Sequence, residues 1–466
     1  MRNLIKLLLI PFICISFTSG CHLEKEAVQP NILFIMSDDH TAQAWWIYGG
    51  ILEDFVHTPN IRQLAEEGCV LENCLVSNSI CTPSRATILT GQYSHVNGVK
   101  NLGSGFTPEH YNIAKLLSGA GYQTSVIGKW HLQTEPTGFD YYCVLPGQGR
   151  YNNPVLKTRE NWGHYLEGGK EYKGFSTDLI TDMTIEWIEN RDKSKPFMAL
   201  CHFKATHEPF DYPERFSHLY RDVEIPVPAS FYDTGAETTG RSFKGQSIDN
   251  LKGRYLTASN STDEEKRGFM FYPELPFSVD GLSHKEAREK TYQKFVKDFM
   301  RCGAAIDDNI SKLMEYLDTT GLTENTVVIY TADQGYFLGE HGWFDKRLIY
   351  EESIHMPFVI RYPREIPAGT RNSDIIENVD FSALFADYAG NGLKDNPARE
   401  DKKTRYWDFF DLQEDPNEIR NAYDDPKYQD VIKEMKEELI RQRELLGDTD
   451  EDNEEILGII AAHWND

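Results

Sequence analysis

The sequence predicts an α/β fold in which a large, mainly parallel sheet is sandwiched by helices. Short apolar runs, typical of strands buried on both faces, alternate along the chain with stretches of helical periodicity. Polar side chains follow four of these runs, at the strand ends where parallel sheets bind their ligands. The 466 residues are enough for one large domain and a smaller one.

The predicted strands are apolar runs that end in polar or glycine residues. The run over 31–36 is typical: five apolar residues follow Asn31, and Ser37 and two aspartates come next. Near the C-terminus, the aromatic stretch 405–412 also predicts a strand. The other predicted strands are 70–76, 123–127, 197–203, 326–331 and 358–361.

Helices are predicted where apolar residues recur at helical spacing. The stretch 211–282 lacks such spacing and is rich in Tyr, Pro, Ser, Gly and charge. We therefore expect a long irregular loop there, facing the substrate. The predicted helices are 61–67, 113–117, 177–190, 285–319, 379–388 and 428–446.

The N-terminal residues are typical of an export signal. Arg2 and Lys6 precede an apolar region over 7–17 that is too short to be a comfortable membrane span. The small residues before Cys21 resemble a bacterial lipoprotein signal, in which this cysteine carries lipid, although Thr18 departs from the usual pattern. We expect an exported bacterial protein of the periplasm or outer membrane. A plain secretory signal is the alternative.

The charge and cysteine content narrow the function classes. The net charge of −25 at pH 7 argues against a nucleic-acid partner. An anionic substrate would therefore need local basic groups or a bound cation. The eight cysteines show no regular spacing, so neither a disulfide framework nor a zinc motif is indicated. Cys69 and Cys74 either pair or remain buried thiols.

A reactive residue is predicted at the start of a short helix. Pro83 suits the first turn of this helix, Gly91 suits its end, and Cys81 is expected just before it, at the positive end of the dipole. Arg85 adds a fixed cation one turn further on. A nucleophile, free N–H groups and a guanidinium suit chemistry on sulfate or phosphate. The alternative is a buried structural cysteine.

Oxygen ligands suitable for a hard cation follow two predicted strands. Asp38 and Asp39 end the first strand, and Asp333 and Gln334 follow the run over 326–331. Carboxylate and amide oxygens suit Ca²⁺ or Mg²⁺ better than zinc. The alternative is that these acids only cap the helices that follow.

Basic residues that could bind an anion follow two more strands. Lys129 and His131 lie two apart and would point the same way if the chain were extended there. Such a pair suits anion binding and proton transfer. His207 is a second candidate acid. Lys346 could return to the same site, or belong to an ordinary basic pair at the surface.

These motifs together resemble the type I sulfatases, whose signature is Cys-x-Pro-Ser-Arg. Cys81-Thr-Pro-Ser-Arg85 matches that signature, and the resemblance covers about residues 29–390 and part of the C-terminus. The later blocks look most like bacterial N-acetylglucosamine-6-sulfatases, which are often called mucin-desulfating. The further landmarks, in family order, are 31–39, 87–91, 128–131, 331–342 and 345–347.

The resemblance implies an alkaline-phosphatase-like fold and an exported enzyme that hydrolyses sulfate esters of a sulfated glycan, in particular 6-O-sulfated N-acetylglucosamine or a related hexosamine. A maturation enzyme would oxidise Cys81 to formylglycine, whose hydrate attacks sulfur. The other implied roles are Ca²⁺ binding by Asp38, Asp39, Asp333, Gln334 and the modified Cys81, orientation and charge neutralisation by Arg85 and Lys129, base catalysis by His131, and sulfate contact and leaving-group protonation by His207 and Lys346.

The resemblance also implies a domain division: a signal over 1–20, a linker over 21–28, a catalytic domain over 29–390 and a reduced C-terminal subdomain over 391–466. Gln334 stands where many members have Asn or His. The C-terminal part is shorter than usual, so substrate contacts could be lost. Two alternatives stay open: a phosphate or phosphonate ester hydrolase, and a glycan-binding protein without turnover.

Overall fold

The computed structural model describes residues 29–233, 245–261, 271–390, 409–423 and 425–446. The predicted signal and linker over 1–28 and most of the predicted strand over 405–412 lie outside these ranges. Phe409 to Leu412 are described and do not form a strand. Within the described part of the chain, no helix is both long and apolar enough to cross a membrane.

A nine-stranded, mainly parallel sheet forms the centre of the protein. Its spatial order is β7-β2-β8-β6-β1-β5-β3-β4, with β9 paired to β2. Neighbouring strands run parallel from β6 to β4, whereas β8 and β7 run antiparallel to their partners. The strands are β1 (Asn31–Asp38), β2 (Cys69–Leu75), β3 (Gln123–Lys129), β4 (Tyr141–Leu145), β5 (Phe197–Thr206), β6 (Thr326–Ala332), β7 (His355–Met356), β8 (Phe358–Arg361) and β9 (Thr370–Glu377).

Helices cover both faces of this sheet, as the sequence predicts. Residues of β1 alternate between two apolar cores: Leu33 and Ile35 face one, and Ile32 and Phe34 face the other. Each core is closed by helices on its own side. The main helices are α1 (Pro59–Glu67), α2 (Cys81–Thr90), α3 (Ile113–Gly119), α4 (Ser176–Asn190), α5 (Ile248–Asn260), α6 (His284–Thr319), α7 (Phe381–Tyr388) and α8 (Gln429–Leu446).

One expectation from the sequence needs correction, some strands of the sheet were not predicted, and one open alternative is decided. The stretch 211–282 is not wholly irregular, because it contains the 13-residue helix α5. The strands β4, β7 and β9 were not predicted: β7 has only two residues, and β9 is largely exposed, without the apolar pattern of the other strands. Of the two alternatives left open for Cys69 and Cys74, the structure shows free buried thiols.

Candidate active site

Two neighbouring parallel strands bring the predicted acidic residues together. Ser37 of β1 lies opposite Ala332 of β6, so the residues that follow, including Asp38 and Asp333, meet at the same edge of the sheet. The backbone turns sharply at Asp39, whose φ is 70°. Its N–H donates a hydrogen bond to Asp333 Oδ1 at 3.2 Å.

The three aspartates form a buried acidic cluster. One oxygen of each of Asp38, Asp39 and Asp333 lies within 4.8 Å of the others, and all three residues are buried. Burial raises the pKa of Asp39 to about 6 and that of Asp333 to about 7. Burial also opposes ionisation of Asp38, but nearby cations, led by Lys129, hold its pKa well below the usual value.

The remaining oxygen donors fit a hard cation at this cluster. Gln334 lies beside it, and its Nε2 contacts Asp39 and lies 3.7 Å from Cys81 Sγ. Among the described residues, neither Gln334 Oε1 nor Asp38 Oδ1 has a hydrogen-bond partner, although both atoms are buried. A divalent cation that prefers oxygen ligands would give these unpaired oxygens a partner among the three carboxylates.

Cys81 is the first residue of α2, and not the residue before the helix as the sequence predicts. The extended Ile80 is the N-cap, and Gly91 ends the helix in the left-handed conformation at φ 62°. The Cys81 side chain groups with Asp38 and His207 within 4.8 Å. Burial, followed by the charge of Asp38, raises the pKa of the Cys81 thiol to about 12, so the thiol is neutral at physiological pH.

Arg85 fixes the two strand ends relative to α2. Its Nε donates to Asp333 Oδ2 at 2.9 Å, and its Nη1 donates to the Lys129 carbonyl at 2.8 Å, while Nη2 lies 2.8 Å from Asp333 Oδ2 as an ion pair. Nη2 also lies 3.6 Å from Asp38 Oδ1. The side chain is 2% exposed. One guanidinium therefore joins α2, β3 and the acidic cluster.

Lys129 and His131 both lie at the site, but not through an extended chain. The strand β3 ends at Lys129, and His131 has a φ of 54°. Lys129 Nζ pairs with Asp38 and donates to Gln148 Oε1 at 2.6 Å. Burial, followed by Lys129, lowers the pKa of His131 to about 2. Its Nδ1 is buried without a hydrogen-bond partner in the described structure.

His207 and Lys346 close the site from the opposite side. Lys346 Nζ lies 2.5 and 2.7 Å from the two carboxylate oxygens of Asp39, and its side chain is 2% exposed, which excludes an ordinary surface position. His207 Nε2 lies 4.0 Å from Asp39 Oδ2. Its Nδ1 lies 2.8 Å from the Glu208 carbonyl, which can only accept, so Nδ1 carries the proton.

Two further residues at the site were missed by sequence reasoning. Gln148 follows β4, so recognition of that strand would have been the signal for it. Lys204 lies within β5, directly after the apolar run over 197–203 that predicted only a buried strand. It is buried with its Nζ above the Tyr151 ring, and burial lowers its pKa to about 8.

The structure thus gathers every predicted site residue into one buried cluster at the carboxyl ends of the parallel strands. Acidic oxygens on one side could hold a divalent cation, and Lys129, Lys346 and two neutral histidines could receive an anionic group and move protons. The roles implied by the resemblance are compatible with this arrangement.

Comparisons with known proteins identify the family. The sulfatase family model matches residues 30–391, and the model of the N-sulphoglucosamine sulphohydrolase C-terminal region matches residues 398–445. An N-acetylglucosamine-6-O-sulfatase of Bacteroides thetaiotaomicron is 34% identical, over 96% of this chain and 92% of the relative. That alignment runs over 526 positions, more than the 466 residues here, so the relative has residues without a counterpart in this chain.

Solved structures agree in fold. A structure described as a complex with its substrate D-glucosamine-2-N,6-O-disulfate superimposes with a TM-score of 0.82 and 33% identity, over 92% of this chain and all of the other. A phosphonate monoester hydrolase from Silicibacter pomeroyi, at 20% identity, covers 90% of this chain and 96% of the other with a TM-score of 0.62, and shows the fold alone. The resemblance and the α/β fold expected from the sequence are confirmed: the chain belongs to the sulfatase family and is a sulfuric ester hydrolase.

Proposed function

We propose that the protein removes the 6-O-sulfate group from glucosamine residues of a sulfated glycan. The similarity to a structure bound to D-glucosamine-2-N,6-O-disulfate carries this proposal, since it covers nearly the whole chain at a TM-score of 0.82. The 34% identical relative named for 6-O-desulfation of N-acetylglucosamine supports the same substrate class.

The acidic cluster would hold Ca²⁺ through Asp38, Asp39, Asp333 and Gln334. Bound Ca²⁺ would draw electron density from sulfate oxygens and offset part of the negative charge of the substrate. Three carboxylates and one amide oxygen leave positions open for further oxygen ligands. Arg85, paired with Asp333 and close to Asp38, would help to hold both carboxylates in place.

Cys81 is the residue proposed to become formylglycine through a maturation enzyme. The conversion removes one sulfur and two hydrogens from the side chain and adds one oxygen. The product lies at the start of α2, where free N–H groups and Arg85 favour an anionic group. Because Cys81 is 1% exposed, the maturation enzyme would have to reach it before the chain folds.

The basic residues around Cys81 would handle the sulfate and the protons. Lys129 and Lys346 lie on either side of the acidic cluster and would meet the sulfate oxygens. His131, whose Nδ1 has no hydrogen-bond partner among the described residues, could accept a proton when sulfate is released. Lys346 would assist departure of the sugar oxygen, and His207 would join it only after taking up a second proton on Nε2, because its own proton is held on Nδ1 by the Glu208 carbonyl.

Export and attachment to a membrane through lipid on Cys21 also form part of the proposal. The charged, apolar and small-residue pattern of residues 1–21 supports it. Cells expressing the full chain should carry it in the membrane fraction, and Cys21→Ser should release it as a soluble exported protein. Unchanged membrane association of Cys21→Ser would contradict the lipid anchor.

The function is tested with protein coexpressed with a formylglycine-generating enzyme. Purified protein should release sulfate from N-acetylglucosamine 6-O-sulfate, and far less phosphate from an aryl phosphate. The tryptic peptide that contains Cys81 should show the loss of sulfur and gain of oxygen. A converted protein that binds the sulfated sugar without turnover would indicate a non-catalytic glycan binder, and preferred phosphate release would indicate a phosphoester hydrolase.

A further inference from the structure

A cavity lies next to Gln148, whose side chain contacts Lys129 of the candidate active site. Its volume is about 350 Å³, and its walls include Gln148 and Arg150 from the loop after β4, Val155, and Leu166. We propose that this cavity is a subsite for a second anionic group of the glycan, with Arg150 as its cation. The inference rests on the proposed function, because it concerns the part of the glycan that extends beyond the 6-O-sulfate.

One side chain connects the cavity to the reacting centre. Gln148 lines the cavity, and its Oε1 accepts a hydrogen bond from Lys129 Nζ at 2.6 Å. Lys129 in turn pairs with Asp38 of the acidic cluster. A sugar whose sulfate contacts Lys129 would therefore have its next substituents within reach of this cavity.

Arg150 is available to bind an anion there. The residue is exposed, and in the described structure no carboxylate lies within 4.0 Å of its guanidinium. The acid that acts on it electrostatically, Glu171, is already paired with Lys173 at 2.5 Å. An arginine without a fixed partner at a cavity wall is suited to bidentate binding of a sulfate or carboxylate.

The local charge also favours an anion, against the charge of the whole chain. The segment 146–174 contains five basic residues and three acidic ones, whereas the chain as a whole carries a net charge of −25. The segment that lines the cavity is thus itself net positive within an acidic protein, which favours an anionic glycan there.

The remaining walls suit a sugar ring. Leu166 is 67% exposed and, with Val155, gives the cavity an apolar side. Apolar side chains next to a few polar groups are the usual lining of small-molecule sites, and volumes of about 300 Å³ and above are typical of them. The anionic group could be the N-sulfate of the same sugar or the carboxylate of a neighbouring uronic acid, since both present oxygens to a guanidinium.

The test compares three substrates with Arg150→Ala. The substrates are N-acetylglucosamine 6-O-sulfate, D-glucosamine-2-N,6-O-disulfate, and a disaccharide of a uronic acid with N-acetylglucosamine 6-O-sulfate. We expect Arg150→Ala to lower kcat/KM about tenfold, through a higher KM, on at least one of the two substrates that carry a second anionic group. On N-acetylglucosamine 6-O-sulfate, kcat/KM should stay within about twofold of the wild-type value. A lower kcat/KM on the disulfate identifies the N-sulfate as the group that Arg150 binds. A lower kcat/KM on the disaccharide identifies the uronate.

Matched variants separate charge from structure. Lys173→Ala removes an exposed cation of the same segment, which is already paired with Glu171, and should change no substrate preference. Arg150→Lys should keep most of the preference. Equal losses on all three substrates, no loss on any, or the same effect from Lys173→Ala would overturn the subsite.

Failure of the proposed function can be distinguished from failure of the subsite. If the wild-type protein desulfates none of the substrates, calorimetric binding of the same three sugars to Cys81→Ala, with and without Arg150→Ala, still decides the subsite. Affinity for the two anionic sugars that is independent of Arg150 would overturn it.

Discussion

At the residue scale, the site depends on buried charges that compensate each other. Arg85, Lys129 and Lys346 lie among three carboxylates, and each of these cations is at most 2% exposed. Burying each of these charges costs free energy, but burying one of them without its partner costs far more. Stability and function therefore depend on the same residues.

Arg85→Met should be severely destabilising. The change leaves Asp333 and Asp38 without their guanidinium, and loss of one partner of a buried ion pair typically costs about 3–5 kcal/mol. Chemical denaturation measures this cost. Arg371→Met, which breaks an exposed pair with Glu72, should cost about 1 kcal/mol or less. Similar losses for both variants would contradict the role of Arg85.

Removal of divalent cations should lower both activity and stability. A cation that binds only the folded protein raises its melting temperature by mass action and relieves repulsion among the aspartates. Dialysis against a chelator should abolish sulfate release and lower Tm, and added Ca²⁺ should restore both. In Asp333→Asn the melting temperature should respond weakly to Ca²⁺. An equal response in the variant and the wild type would exclude Asp333 as a ligand.

At the element scale, the sequence predicted the parts of the sheet that position the site. Continuous apolar runs identify β1, β5, β6 and β8, because strands buried on both faces need them. The exposed β9 lacks that pattern, and the helix α5 lies in a segment rich in turn residues. Gln148 was missed with β4. The neighbourhood of Lys204 depends on tertiary packing that no local pattern records.

Gly128 illustrates how closely the strands must pack. Its φ is +106°, and a β-carbon there would lie 1.9 Å from the carbonyl oxygen of His202 on the neighbouring strand. Gly128→Ala should push β3 away from β5 and displace Lys129, with a loss of several-fold or more in kcat.

A control glycine is available in α3. A β-carbon at Gly119 meets nothing within 4 Å, so Gly119→Ala should leave Tm and activity nearly unchanged. Both variants are compared by thermal unfolding and sulfate release. Normal Tm and kcat in Gly128→Ala would show that the close contact is not required.

At the scale of the whole molecule, the C-terminal segment 409–446 contacts the main body of the protein through Phe410 and Glu418. Phe410 packs on Tyr350 at 5.7 Å between ring centres, and Glu418 accepts a hydrogen bond from the Glu351 N–H at 3.0 Å. The segment otherwise has its own small apolar cluster around Tyr428. The reduced size of this subdomain, expected from the sequence, stays a prediction.

Attachment of this segment should weaken as pH rises. Burial raises the pKa of Glu418 to about 7, and burial together with Glu340 and Glu418 raises the pKa of Glu352 well above its usual value. These acids are protonated in the folded protein at low pH, so their contribution is complete below about pH 4.5 and is lost as pH rises through about 7.

Amide hydrogen exchange over 409–446 measures this effect. Protection should fall between about pH 5 and pH 8, after correction for intrinsic exchange rates. Glu418→Gln keeps the acceptor for the Glu351 N–H but removes the charge, so its protection should change much less. The same pH dependence in both proteins would exclude Glu418 as the responsible group.

The central claim is hydrolysis of the 6-O-sulfate of glucosamine, and the regiochemistry of desulfation tests it most directly. Mature protein is incubated with D-glucosamine-2-N,6-O-disulfate, and the sugar product is followed by NMR. We expect an upfield shift of the C6 protons only, with the N-sulfate retained, and no reaction by Cys81→Ala. Loss of the N-sulfate first, or an unchanged sugar after complete conversion of Cys81, would contradict the account.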